Sequence, residues 1–155
     1  MGAAVTNDSV TEEFEAKLQD LLAATHASRV TVRLDLPQHG FHVNDVAAEA
    51  RQARVASLKG QTSIDQRRAA TVVWLDRERK ILVQEDLTDA DPAPPTALVE
   101  IYGTLAQMLA PIVPHQELTG WVSVHHNRGR RKWAQSDIEA LAQTADWFTN
   151  RLRQI

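Results

Sequence analysis

Hydrophobic residues recur with a helical period near the start of the chain. Ser9 and Glu12 have the spacing of a capping box, in which a serine oxygen and a glutamate satisfy free amides at a helix start. The apolar residues that follow share one helical face: Phe14, Leu18, Leu21 and Leu22. We therefore predict a disordered tail at 1–8, an amphipathic helix to about residue 26, and a single domain over 9–155.

Residues 29–36 change to the two-residue period of a β-strand, whose side chains point alternately to opposite faces. The aliphatic face consists of Val30, Val32, Leu34 and Leu36. The opposite face carries Thr31, Arg33 and Asp35. The break at residues 37–40, which begins with a proline, ends the strand.

A second stretch of strand period occupies residues 107–133, which read QMLAPIVPHQELTGWVSVHHNRGRRKW. An apolar strand ends near a proline, a polar turn follows, and another strand opens at Gly120, which together predict a β-hairpin. Trp121, Ser123 and His125 share one face of that second strand, while two valines occupy the other. An indole, a hydroxyl and an imidazole on one face favour a polar pocket over a uniform core.

The middle of the chain has a weaker pattern. Residues 46–58 show a sparse apolar stripe that predicts a helix ending at Gly60. Residues 64–74 have two interpretations, a helix or a strand at 70–75, because TVVWL is rich in residues that favour strands. The other predicted elements are a polar turn, a strand, a proline-rich loop and a short helix, at 76–79, 80–85, 89–95 and 97–104.

The last helix has the clearest amphipathic pattern of the chain. Ser136 and Glu139 form a second capping-box pattern. The apolar stripe consists of Ile138, Leu141, Ala142, Ala145, Phe148 and Leu152. Helices at both ends and strands between them predict an α+β sandwich, with the terminal helices on one face of an antiparallel sheet and the middle elements on the other.

Composition narrows the class of function. The chain has 155 residues, a formal net charge of −3 and no cysteine. This charge gives no positive field for nucleic acid or an anionic membrane, so we expect neither as a partner. Disulfides, thiol catalysis and thiolate metal ligands are excluded, and we expect no metal and no cofactor. No apolar run approaches the ~20 residues of a membrane span and no signal peptide is evident, so the expected location is cytoplasmic.

Four segments together resemble the GAF domain family. Residues 81–92 (ILVQEDLTDADP) are similar to its strand and acidic turn before the cross-over helix, and residues 107–113 (QMLAPIV) to its SMLAVPL-type strand. Residues 117–126 (ELTGWVSVHH) resemble its IGVLxL strand, and residues 133–148 (WAQSDIEALAQTADWF) its F-S-x-x-D-x-x-x-L helix. The resemblance depends on the order and spacing of these segments and is weaker over residues 41–84.

The resemblance implies a GAF-like antiparallel sheet with terminal helices on one face and a ligand pocket under cross-over helices and loops on the other. It implies ligand sensing or dimerisation and no narrower function, because a fold does not fix a function. Cysteine-dependent methionine sulfoxide reduction and cysteine-linked bilins are excluded, whereas non-covalent bilin binding stays open. The N-K-x-F-x-x-x-D-E pattern of many cyclic-nucleotide-binding members does not follow Asn44.

The candidate ligand contacts are polar or aromatic residues on the pocket face of the sheet and in its cover. The sheet face supplies Arg33, Asp35, Trp121, Ser123 and His125. Tyr102 and Gln107 lie where the cross-over helix meets the next strand, and Arg67 and Thr71 join them if 64–74 is helical.

Each contact on the sheet also has a structural interpretation. Arg33 either binds an anionic ligand in a bidentate fork or forms a buried salt bridge with Asp35. His125 is either a ligand contact or a hydrogen-bonded core histidine. Trp121 is either a stacking surface for the ligand or a core residue. The coincidence of several polar groups on one inner face is the main indication of a site.

We expect a stand-alone cytoplasmic GAF-like domain that binds a small polar or anionic metabolite, aromatic ligands included, as a sensor or accessory subunit. One alternative is a small-molecule enzyme that uses His125 with Asp35 or Arg33, and the other is a ligand-free dimerisation scaffold. Trp147 lies beside the stripe of the last helix, so it either contributes to a homodimer interface of terminal helices or packs against the first helix. A protein signalling partner is also expected.

Overall fold

The computed structural model describes residues 7–155. The helices are α1 (Asn7–Thr25), α2 (Ala70–Glu78), α3 (Thr96–Glu100) and α4 (Gln135–Leu152). The strands are β1 (Arg29–Leu34), β2 (Ala48–Arg51), β3 (Leu82–Gln84), β4 (Ala106–Ile112) and β5 (Gly120–His126). Of the predicted tail at 1–8, residues 1–6 lie outside the described part, and α1 begins at Asn7, ahead of the capping box predicted at Ser9.

The strands form one antiparallel sheet in the order β2-β1-β5-β4-β3. This topology confirms the predicted α+β class, and the predicted hairpin is the pair β4 and β5. Strand β1 lies beside β5, with Val30 opposite Val124 and Val32 opposite Val122. The first strand and the hairpin, which are far apart in sequence, are therefore neighbours in the centre of the sheet.

Helices α1 and α4 cover the aliphatic face of the sheet, as predicted. Phe14 of α1 and Phe148 of α4 are fully buried, with ring centroids 5.0 Å apart. They share one core with the valines of β1 and β5. Each such side chain contributes about 1.5–3 kcal/mol through removal of its apolar surface from water. This core fixes which face of the sheet remains for a site.

Trp147 packs inside this helical layer. Its indole lies edge-on to the ring of Phe14, with 6.1 Å between centroids. The ammonium Nζ of Lys17 lies 5.6 Å from the centre of the indole ring. Of the two interpretations of Trp147, packing against the first helix accounts for its position, so this residue gives no support for a dimer interface.

The opposite face of the sheet is covered by α2, α3 and the loop at 52–66. Val72 and Leu75 of α2 pack with Leu109 and Trp121 of the sheet in a second core. Leu98 of α3 belongs to a third, smaller cluster that includes Leu58 of the loop. The cover is thus anchored at two places, and the space between the anchors is the candidate site.

The helix predicted at 46–58 is wrong, because this segment forms β2 and then an irregular loop. Ala48 and Ala50 are buried in the core under α1, whereas Glu49 points to the other face of the sheet. The Glu49 carboxylate accepts hydrogen bonds from Ser57 Oγ at 2.6 Å and from Leu58 N at 2.8 Å. Side-chain hydrogen bonding therefore fixes the loop where a helix was expected.

For residues 64–74 the helical interpretation holds and the strand is wrong. A 3₁₀ turn at Gln66–Arg68 leads into α2, which includes most of the turn predicted at 76–79. Arg79, the residue after the helix, has a left-handed conformation (φ 55°). The second capping box is also wrong: α4 begins at Gln135, and Asp137 Oδ2 accepts from Ala134 N at 2.9 Å.

Within residues 7–155 no helix has both the length and the apolar character to cross a bilayer.

The start of β5 depends on a glycine. A Cβ atom at Gly120 would lie 2.0 Å from Arg33 O and 2.9 Å from Leu34 Cδ2, so β1 and β5 would have to move apart. We expect Gly120→Ala to lower the free energy of unfolding by about 2–3 kcal/mol, measured by urea denaturation. Gly103→Ala is the control, since its added Cβ meets open space and only its positive φ of 69° adds strain, worth about 1 kcal/mol. Equal losses in both variants would contradict the steric explanation.

Candidate functional site

A cavity of about 90 Å³ lies between the sheet and its cover. Seven of the nine predicted ligand contacts line it: Arg33, Thr71, Tyr102, Gln107, Trp121, Ser123 and His125. The other two, Asp35 and Arg67, lie outside the lining. The roof is largely apolar and includes Leu58, Ile64, Val72 and Leu98.

Strand register brings the polar floor together. Thr31 lies opposite Ser123, and Arg33 lies opposite Trp121, across the β1–β5 pair. His125 continues the same face of β5. Directly paired residues of neighbouring antiparallel strands have side chains within about 5 Å at the Cβ atoms, so these groups form one continuous surface.

Arg33 is a buried cation on this surface. Arg33 is 6% exposed, and its Nη1 donates a hydrogen bond to Val43 O at 3.0 Å. No carboxylate of residues 7–155 lies within 4.0 Å of its guanidinium. Burial lowers the pKa of Arg33 to about 10, against the opposing effect of Asp45 and Glu49, so the group is still charged at neutral pH.

The salt bridge predicted between Arg33 and Asp35 is wrong. Strand β1 ends at Leu34, and Asp35 turns outward, where its Oδ1 accepts from Val43 N at 2.9 Å. Its Oδ2 accepts from Arg67 Nε at 2.9 Å, and Arg67 Nη2 contacts the same oxygen. Asp35 and Arg67 thus neutralise each other at the edge of the cover, and Arg33 keeps its charge without a paired carboxylate.

His125 is held by Arg29, its direct partner across the β1–β5 pair. Its Nδ1 accepts a hydrogen bond from Arg29 Nε at 3.1 Å. Burial, followed by the positive charges of Arg29 and Arg33, holds the pKa of His125 well below its usual value of 6.5. His125 is therefore neutral at physiological pH, and Asp35, one of the two partners considered for it in an enzyme, is engaged elsewhere.

Sequence reasoning missed Arg29, which is fully buried. Besides its bond to His125, Nη1 donates to Ala56 O at 2.8 Å and Nη2 donates to Thr104 Oγ1 at 2.8 Å. Burial lowers its pKa to about 10, against the raising effect of nearby Glu49, so Arg29 also remains charged. The sequence did contain a signal for Arg29. Its two-residue period places Arg29 on the same face of β1 as Thr31 and Arg33.

Two floor residues have structural roles as well as a surface toward the cavity. Trp121 is 1% exposed and packs with Val72 of α2, so its core role and its place in the lining coexist. Gln107 Nε2 donates to Gln84 Oε1 at 2.8 Å, and Gln84 Nε2 donates to Pro92 O at 2.6 Å. This amide chain fixes Gln107 at the junction of β3 and β4.

A five-stranded antiparallel sheet, backed by its terminal helices and with a covered cavity on its other face, places the chain among α+β domains of GAF-like fold. The family model of the GAF domain matches residues 9–152. The chain belongs to the GAF domain family, which confirms the resemblance of its segments to that family. No match was found among curated proteins.

Solved structures of cyanobacteriochrome domains share this fold. The cyanobacteriochrome receptor PixJ is 20% identical with a TM-score of 0.70, and the match covers 94% of each chain. JSC1_58120g3, solved with bound biliverdin IXa, is 16% identical with a TM-score of 0.72, covering 97% of this chain and 92% of that one. GAF3 from Slr1393 of Synechocystis sp. PCC6803 is 17% identical with a TM-score of 0.70, covering 94% of each. At these identities the likeness establishes the fold alone.

The depressed pKa of His125 gives the protein an acid-sensitive stability. Below about pH 6.5 the unfolded chain binds a proton at this residue that the folded state does not, so the stability present at higher pH is lost as pH falls. Between pH 7.5 and 5.5 we expect a loss of about 1 kcal/mol from this group, measured by urea denaturation at both pH values. The loss should be absent in His125→Gln and mostly retained in His126→Gln. A His125→Gln variant with the full pH dependence would contradict this assignment.

Proposed function

We propose that this GAF domain binds a small organic anion in the cavity and acts as a sensor or accessory subunit. The observation that supports the proposal most strongly is the Arg33 guanidinium on the cavity floor, buried without a carboxylate partner among residues 7–155. An unpaired buried charge is costly, and a ligand carboxylate would offset that cost while accepting a bidentate hydrogen bond.

The neighbouring charges favour the same class of ligand. Arg29 lies beside the floor, opposite His125, and adds a second buried positive charge. Thr31 and Ser123 place hydroxyl groups between Arg33 and the imidazole of His125. The nearest carboxylate of the sheet, Glu49, pairs with Arg51 at 3.4 Å and is hydrogen-bonded to the cover, so it forms no direct ion pair with either buried arginine.

Cavity size restricts the ligand. A water molecule needs about 10–15 Å³ of such volume, so 90 Å³ corresponds to roughly six to nine waters and suits an anion of about that many non-hydrogen atoms. The apolar roof and the indole of Trp121 suit a ligand with an aliphatic or aromatic body. An open-chain tetrapyrrole has several times more non-hydrogen atoms than such an anion, and the chain has no cysteine to attach one, so we favour a smaller anion over a bilin.

The remaining expectations have less support. The enzyme alternative used His125 with Asp35 or Arg33. Asp35 is directed to Arg67 and lies outside the cavity lining, whereas Arg33 lines the cavity together with His125, so only the second pairing stays a prediction. A homodimer of terminal helices, a protein signalling partner and a cytoplasmic location stay predictions. Size-exclusion chromatography with light scattering, with and without ligand, measures the dimer directly.

Ligand binding is testable by thermal shift. We would screen small aliphatic and aromatic carboxylates, nitrate, nucleotides and biliverdin, each carboxylate beside its uncharged amide, for example benzoate with benzamide. A fitting anion at 100 times its dissociation constant should raise the melting temperature by about 5–10 °C, while its amide should not. Equal shifts with the amides would contradict the anion site. A response to biliverdin alone would favour a bilin as the ligand. No response to any compound would favour the scaffold alternative.

The role of Arg33 is testable with a matched arginine. Arg33→Met should weaken binding of the best carboxylate at least about 30-fold, because the ligand charge would be buried without a partner. The unliganded Arg33→Met protein should be as stable as the unsubstituted protein or more so, since a desolvated charge is removed. Isothermal titration calorimetry and urea denaturation measure the two effects.

Arg67→Met is the control, since Arg67 lies outside the cavity lining and pairs with Asp35. This control should leave the affinity unchanged. Unchanged affinity in Arg33→Met, together with a stability loss of about 3 kcal/mol or more, would make Arg33 a structural residue and contradict the proposed site.

A further inference from the structure

The hydrogen bonds of Arg29 determine what His125 can present to the cavity. A guanidinium has N–H donors and no acceptor, so His125 Nδ1, at 3.1 Å from Arg29 Nε, must hold a lone pair. A neutral imidazole has one N–H, and with Nδ1 as the acceptor that proton resides on Nε2. The tautomer thus follows from the hydrogen-bond network.

The two residues lie side by side on the cavity face of the sheet, because Arg29 is opposite His125 across the β1–β5 pair. His125 lines the cavity, whereas Arg29 is fully buried beside it and does not line it. Nδ1 is therefore engaged at the side of the cavity by Arg29, and Nε2 is the ring nitrogen left for the cavity. The N–H at Nε2 would add a hydrogen-bond donor of fixed position beside the charged donors of Arg33. The cavity floor already suits a ligand that carries hydrogen-bond acceptors.

Arg29 itself is rigidly held. Its Nη1 donates to Ala56 O and its Nη2 to Thr104 Oγ1, both at 2.8 Å, and its guanidinium lies 5.9 Å from the ring centre of Tyr102. These contacts come from the loop before α2 and from the segment after α3, so the guanidinium cannot rotate away from His125 without breaking them. A donor fixed on three sides is well suited to determine the protonation of its neighbour.

We infer that Arg29 is a positioning residue that holds His125 in the Nε2–H form, so that the imidazole donates a hydrogen bond into the cavity. The inference rests on the proposed function in taking His125 as a ligand contact. It makes anion preference a property of two arginines on one face of β1: Arg33 supplies the charge, and Arg29 fixes the proton position of the adjacent donor.

The tautomer is measurable without any ligand. Protein labelled with ¹⁵N at histidine is examined by long-range ¹H–¹⁵N NMR at pH 7.5, and the His125 signals are assigned by their loss in His125→Gln. We expect a protonated, pyrrole-type shift at Nε2 and an unprotonated, pyridine-type shift at Nδ1. The opposite pattern in the unsubstituted protein would overturn the inference whatever the ligand screen finds.

The dependence on Arg29 requires a variant. In Arg29→Met we expect the His125 signals to move toward the averaged shifts of exchanging tautomers, while those of the other five histidines stay in place. If Arg29→Met does not fold, Arg29→Lys serves, since an ammonium replaces the guanidinium and should shift His125 Nδ1 selectively. His125 shifts that are unchanged in a folded variant would overturn the positioning role and reduce Arg29 to a structural residue. Failure of the anion screen would leave this result intact, so the two proposals fail separately.

Discussion

The register between β1 and β5 is the constraint on which the rest of the structure depends. With Val32 opposite Val122, the valines of both strands face α1 and α4, and Arg33 and Trp121 face the cavity. A shift by one residue would place a guanidinium in the helical core and a valine in the cavity floor. The steric limit at Gly120 and the aliphatic core both hold the register in place. Core packing and site assembly are therefore consequences of one alignment.

Buried arginines distinguish the site from the rest of the interior. Glu49, which lies closest along the sheet face, is hydrogen-bonded to the cover rather than to Arg29 or Arg33. The hydrogen bonds of the two guanidiniums are accepted by carbonyl, hydroxyl and imidazole groups. Neutral acceptors satisfy hydrogen bonds but not charge, so the two positive charges are offset only from a distance, by Asp45 and Glu49.

Alternation in the sequence predicted the sheet faces and much of the cavity floor, because a two-residue period maps directly onto a pleated strand. The same reasoning failed where contacts with distant parts of the chain determine the local structure. Ala48 and Ala50 suit a helix by propensity, yet burial under α1 places them in a strand. Asp35 continues the polar face on paper, but β1 ends one residue earlier and the side chain turns to Arg67. Arg29 was overlooked although the two-residue period places it on the face of Thr31 and Arg33, because a charged residue at the start of a strand is ordinarily expected in solvent.

Both edges of the sheet are short and partly blocked. Strand β2 has four residues and ends in the exposed Arg51, whereas β3 has three. Next to β3, Trp133 Nε1 donates to Gln84 O at 3.2 Å and Arg131 N donates to Glu85 O at 3.0 Å. Brief, charged or covered edges resist the addition of foreign strands. Growth of this sheet into a larger one, whether as an assembly or as an aggregate, is thereby opposed, and any association between copies is directed to surfaces made of side chains.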